Sequence, residues 1–139
     1  MRLLKKTALV ALPVLSLAGC AGFNIPFPTL PQQQAPLEMV SASLPQICRE
    51  ADKNPVRATD LYAKKGLSTT GKVQVVSEGF NPRYRVLLRS GNVSIHAGTD
   101  NQLAIKSVST GKTTRVSGVI TDVSYDHTGC SISLGDAKF

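Results

Sequence analysis

Apolar and polar residues alternate in two regimes along this chain, with the change near Gly66. Before it, Leu44-Pro45-Gln46-Ile47-Cys48-Arg49-Glu50-Ala51 predicts a short helix. Asn54-Pro55 then supplies an N-cap with proline at the first helical position. Val56, Ala58, Leu61 and Tyr62 are the expected inward residues of that segment, which ends near Ala63. After Lys64-Lys65-Gly66 the period becomes two. Val73 and Val75 alternate with Lys72 and Gln74, Tyr84, Val86 and Leu88 with Arg85, Leu87 and Arg89, Val93 and Ile95 with Ser94 and His96, Val116, Gly118 and Ile120 with Ser117, Val119 and Thr121, and Cys130, Ile132 and Leu134 with Ser131 and Ser133. Each run predicts a half-buried antiparallel strand. Asp100–Ile105 predicts one or two helical turns between the third and fourth strands. Asn81-Pro82, Ser90-Gly91-Asn92, Thr110-Gly111 and His127-Thr128-Gly129 mark turns.

The predicted fold is mainly β: a small five-stranded OB-fold-like barrel, with a preceding N-terminal helix and a short helix between strands 3 and 4. Glycine inside a strand often marks a bend or a close backbone approach. Gly71 and Gly118 are expected to serve the coiling of strands one and four. A generic antiparallel sandwich is the competing architecture.

From Asn54 to Phe139 the chain resembles the tRNA anti-like family of OB-fold proteins. The matching pieces are Asn54-Pro55-Val56-Arg57-Ala58 with Leu61-Tyr62, then Thr69-Thr70-Gly71-Lys72-Val73 and Tyr84-Arg85-Val86-Leu87-Leu88. Val116-Ser117-Gly118 and the closing Ile132-Ser133-Leu134-Gly135-Asp136-Ala137-Lys138-Phe139 complete them. The resemblance implies a barrel found among small bacterial lipoproteins. It brings no catalytic residue with it.

The first 20 residues have a different logic. Arg2, Lys5 and Lys6 precede an apolar run from Thr7 to Leu17, followed by Ala18, Gly19 and Cys20. That is the layout of a secretory signal peptide, and its apolar run is too short to span the roughly 30 Å hydrocarbon core of a bilayer. Leu17-Ala18-Gly19-Cys20 matches the bacterial lipobox, so residues 1–19 are expected to be cleaved and Cys20 to carry lipid, with acyl chains such as palmitate. Two or three chains on one residue give stable anchoring. Ala21, rather than Asp, leans towards the outer membrane, with the domain facing the periplasm. Residues 20–43 contain Pro26, Pro28, Pro31, Pro36 and the tract Gln32-Gln33-Gln34, and read as an extended linker. The domain is placed at 44–139.

Removal of the signal segment changes the charge. Arg2, Lys5 and Lys6 are three of the sixteen basic residues; without them thirteen stand against nine acidic ones, a formal charge of +4 rather than +7. That favours anionic surfaces but falls short of a dedicated nucleic-acid binder. There is no Trp, and only four Phe and three Tyr.

With Cys20 assigned to lipid, Cys48 and Cys130 remain as an even pair in an exported chain, and a disulfide between them is expected. Two free buried thiols are the alternative. No Cys-x-x-Cys, Gly-x-Ser-x-Gly or phosphate-cradling loop appears, so the chain reads as a non-enzyme without a cofactor. His96 and His127 lack metal spacing. Asp122, Asp126 and His127 form at most a weak cation turn, and a solvated turn is the simpler reading.

The basic residues give the better candidate. On the second strand, Arg85 and Arg89 are expected outside, with Arg83 and Phe80 in the preceding loop and Lys72 and His96 on the same outer face. Strands two and three and the flanking loops form the usual OB-fold ligand face. Tyr84 is expected inside, leaving Phe80 and Tyr125 as aromatics for stacking. The preferred function is a membrane-anchored, non-catalytic envelope module whose partner is another envelope protein or an anionic envelope component. The alternative is an OB-fold nucleic-acid binder of the envelope, for instance in DNA transport. Export and the scarcity of stacking aromatics count against it.

Overall fold

The computed structural model describes residues 36–139. The signal segment, Cys20 and the proline- and glutamine-rich stretch up to residue 35 lie outside the described residues. The elements are α1 (Leu44–Lys53), α2 (Pro55–Tyr62), β1 (Gly66–Glu78), β2 (Tyr84–Ser90), β3 (Val93–Thr99), α3 (Gln102–Lys106), β4 (Thr113–Asp126) and β5 (Gly129–Lys138). The strands close into a barrel in the order β1-β2-β3-β5-β4, with β3 and β5 parallel and the other pairs antiparallel. Two helices precede it, at the two segments where the sequence predicts them, and a short helix joins strands three and four.

Local chemistry sets the helix limits. Gln46 Oε1 accepts from the Ser43 amide at 2.7 Å, which fixes the entry into α1. Asn54 does two jobs. Its amide donates to the Glu50 carbonyl and ends α1, while its Oδ1 accepts from the Arg57 amide at 3.0 Å and starts α2. Asn101 Oδ1 caps α3 by accepting from Leu103 and Ala104.

The core joins the helices to the barrel interior. Ile47, Cys48 and Ala51 from α1 and Ala58 and Tyr62 from α2 pack with Val73, Val86, Leu88, Ile95, Val116, Ile120, Val123, Ile132 and Leu134. Burying each branched aliphatic here contributes on the order of 2 kcal/mol. Cys48 and Cys130 form a disulfide, with Cα atoms 5.6 Å apart, that ties α1 to the start of β5.

Three inward assignments fail. Val75 is 49% exposed, because a bulge at Gln74 separates the register pairs Val73–Leu88 and Val75–Leu87. One extra residue reverses the side-chain parity beyond it, and Val76 becomes the half-buried residue. Val56 and Leu61 are also exposed, because the inward stripe of α2 is narrow and consists of Ala58 and Tyr62.

Both flagged glycines mark close approaches. A Cβ on Gly118 would lie 2.7 Å from the Gly135 carbonyl oxygen, and one on Gly71 would lie 3.0 Å from that of Arg89.

The chain before α1 is fastened to the barrel. The Gly66 amide donates to the Glu38 carbonyl and the Val40 amide donates to the Gly66 carbonyl, both at 2.8 Å, in a parallel bridge between Met39 and Gly66. Lys65 and Glu38 pair at 3.3 Å. Val40 and Ala42 pack partly against the core. Part of the stretch that reads as linker is therefore attached to β1.

Candidate ligand cleft

The outer surface of β1, β2, β3 and β5 is organised by register into transverse rows. One row reads Val75, Leu87, His96, Ser133, and the next reads Ser77, Arg85, Gly98. Together with Thr121, Ser131, Gly135 and Pro82 these residues line an open cleft of about 590 Å³. Its floor is apolar, from the outward side chains of Leu87 and Val75 with Pro82 beside them, while Val86, Ala97 and Leu134 border it with their side chains in the core. Its walls carry hydroxyls, one guanidinium and one imidazole.

The β1–β2 loop forms one wall and is held in place at several points. The Gly79 amide donates to the Arg83 carbonyl at 2.7 Å, and the Arg83 amide donates to Asp100 Oδ1 at 2.8 Å. The Pro82 ring packs on Gly98, where a Cβ would overlap Pro82 Cγ. Arg85 Nη2 donates to the Asn81 carbonyl at 3.0 Å, which aims the charged head along the cleft edge. A planar guanidinium keeps further donors free for a carboxylate or phosphate.

Of the residues singled out in the sequence, Arg85 and His96 line the cleft. Arg89 lies one row away, with Nη1 donating to Ser94 Oγ at 2.8 Å, and Lys72 stands opposite it in register. Arg83 lies over the Tyr84 ring, 5.4 Å from its centroid. Phe80 is fully exposed at the loop and does not line the cleft. Tyr84 is buried, as its parity demands, and its hydroxyl has no hydrogen-bond partner among the described residues.

The β5 contribution, Ser131, Ser133 and Gly135, carried no chemical signal in the sequence. Only the parallel β3–β5 pairing brings these residues beside His96. Outward parity within β5 is the one signal that marks the two serines.

The described residues contain no metal-holding group of His, Cys, Asp or Glu. In the last turn, Asp126 Oδ1 accepts from both the amide and the hydroxyl of Thr128. The hydroxyl bond, followed by the amide bond, holds the Asp126 carboxyl below its ordinary value of about 3.8, and the neighbouring His127 charge contributes less. This is a self-satisfied turn. A second groove of about 650 Å³ lies beside the disulfide, between α1, the β2–β3 turn and the β4–β5 turn, with Tyr125 and Arg49 on its walls.

No family model and no curated protein matches the chain, so the tRNA anti-like resemblance rests on the residues quoted for it. Solved structures do match. One is described as a "putative nucleic acid-binding lipoprotein" from Klebsiella pneumoniae subsp. pneumoniae. It is 19% identical, with a TM-score of 0.53, and the match covers 72% of this chain and 90% of that chain. At that identity the likeness bears on the fold.

Proposed function

We propose that the chain is a lipid-anchored envelope protein, attached through Cys20, that presents the cleft across β1, β2, β3 and β5 as a non-catalytic binding site for an anionic partner. The observation that carries this reading is Arg85, a cation fixed by the Asn81 carbonyl at the edge of a hydroxyl-lined trough with an apolar floor. The lipobox at Leu17–Cys20 supports the anchor, and so does the description of the Klebsiella neighbour as a lipoprotein. The tRNA anti-like resemblance supports binding over catalysis, since no catalytic residue transfers. The outer membrane is the preferred destination on the strength of Ala21.

Two experiments test the parts separately. Metabolic labelling with palmitate should mark the protein, and Cys20→Ser should abolish the label. A photo-crosslinker at position 85 in intact cells, read by mass spectrometry, should capture an envelope component that a probe at Asp60 does not. Equal capture at both positions would remove the cleft from the proposal.

A nucleic-acid ligand is the second reading. It is favoured by the fully exposed Phe80 beside Arg83 and Arg85 and by the description of the Klebsiella neighbour. Against it, Tyr84 is turned inward and Tyr125 lines the other groove, so the cleft lacks a stacking platform. Filter binding across a salt series separates the two. Nucleic-acid affinity falls steeply with salt, and no binding at low salt eliminates the second reading.

A further inference from the structure

The outer face of β1 combines exposed apolar side chains with cations that form no ion pair among the described residues, beginning one row from the cleft. Before the bulge at Gln74, even-numbered residues of β1 point outwards: Ser68, Thr70 and Lys72 are exposed, while Leu67, Gly71 and Val73 are buried. Gly66 shares that outward parity. The space above it is filled by Leu37 and Met39, since a Cβ on Gly66 would overlap Met39 Sδ and lie 2.9 Å from Leu37 Cδ2. Both side chains remain about half exposed, Leu37 at 48% and Met39 at 53%.

Further along the same face, register places Lys72 between Arg89 of β2 and Thr113 of β4, with Thr70 opposite Arg115. Lys112 immediately precedes β4 and is exposed. The acids that form ion pairs among the described residues are Glu50, with Lys53 and Arg57, and Glu38, with Lys65. None reaches Lys72, Arg89, Lys112 or Arg115, and no acid occupies an outward position in these two rows.

We infer that this β1–β4 face rests on an anionic bilayer surface, with Leu37 and Met39 entering the headgroup region and Lys72, Arg89, Lys112 and Arg115 meeting lipid phosphates. The six residue steps from Gly66 to Lys72 cover roughly 20 Å of strand, so the apolar and basic parts fit one surface patch. Apolar side chains beside clustered Lys and Arg are the combination that binds membrane interfaces. A nucleic acid would use the cations but not Leu37 and Met39. This inference is independent of the lipid on Cys20 and of the cleft.

The test uses the chain from Ala21 to Phe139, which lacks Cys20 and keeps every described residue. It should co-sediment with phosphatidylcholine vesicles containing about a quarter phosphatidylglycerol and not with phosphatidylcholine alone, and release at high salt should follow. Lys72→Glu with Arg115→Glu should weaken the partitioning by at least about tenfold, at roughly fivefold per cation. Leu37→Ser with Met39→Ser should weaken it at unchanged charge. Arg85→Glu, in the cleft, should leave it within about twofold. All these side chains are exposed, and a native disulfide and circular dichroism spectrum confirm each fold. No binding to the anionic vesicles overturns the inference, as does an equal loss from Arg85→Glu. Single-stranded DNA binding that the double charge reversal removes, without vesicle binding, overturns it in favour of a nucleic-acid face.

Discussion

The hydroxyl of Thr59 on α2 both donates to and accepts from the backbone of Val123 on β4, its Oγ1 lying 3.0 Å from the carbonyl oxygen and 3.0 Å from the amide nitrogen. One helix side chain thus supplies both hydrogen-bond partners that a neighbouring strand would otherwise offer. With Ala58 and Tyr62 buried beside it, this contact docks α2 on the barrel. Thr59→Val keeps the shape and leaves the Val123 amide unpaired. It should lower unfolding free energy by about 1–3 kcal/mol, measured by chemical denaturation, whereas Thr59→Ser should retain most of the stability.

The disulfide closes a loop with a sequence separation of 82. In the chain-entropy account such a crosslink restricts the unfolded ensemble and contributes about 4 kcal/mol. Cys48→Ala with Cys130→Ala should lower the denaturation midpoint accordingly, with loss first at α1, detected by hydrogen exchange. The chain from Ala21 should show no titratable thiol under denaturing, non-reducing conditions. Two thiols per chain would contradict the bond.

Gly118, in the bulge between Ser117 and Val119 of β4, lies close to Gly135 of β5, but the two should respond differently to substitution. A Cβ on Gly118 meets the backbone oxygen of Gly135 at 2.7 Å, which cannot move without opening the sheet. On Gly135 the nearest atom is Thr121 Cγ2 at 3.1 Å, an exposed side chain that can turn away. Gly118→Ala is therefore expected to cost about 1–3 kcal/mol and Gly135→Ala much less, compared by thermal melts.

Asp126 gives a prediction in acid. Its folded value is lowered, so whatever stability its bonds to Thr128 supply is present above the ordinary value near 3.8 and is lost as pH falls through the lowered one. Thr128→Ala removes the largest cause, the hydroxyl bond, and should move the Asp126 carboxyl titration upward. Carboxyl carbon NMR across acid pH measures this directly. An unchanged titration would refute the Thr128 bond.

Much of the barrel was legible because its interior is lined at strict alternation. Val86 and Leu88, Ile95, Val116 and Ile120, and Ile132 and Leu134 all face in, as their spacing predicts. The misreading of Val75 has a local cause: nothing in Val73-Gln74-Val75-Val76 announces an inserted residue, since either parity places a valine inside. Leu61 and Val56 misled because apolar character alone does not fix which stripe of a two-turn helix is covered. The docking of Glu38 and Val40 on Gly66 was invisible because backbone groups make it, and a backbone amide carries no residue identity. The cleft was half legible. Arg85 and His96 stood out as charged or titratable residues on outward positions, whereas Ser131 and Ser133 join them only through a long-range parallel pairing.

The bridge at Gly66 sets the length of the leash. With the chain held at Glu38 and Val40, the lipid proposed for Cys20 would be separated from that bridge by the 17 residues from Ala21 to Leu37. Fully extended they reach about 60 Å. A barrel tethered in that way would meet its own bilayer at an effective concentration of about a millimolar. At that concentration a surface too weak to hold a free protein would still hold this one for much of the time. The membrane contact inferred for the basic face of β1 would therefore need only modest intrinsic affinity to orient the barrel. The cleft begins at Val75 and Ser77, near the far end of the same strand, where it stays open to a partner.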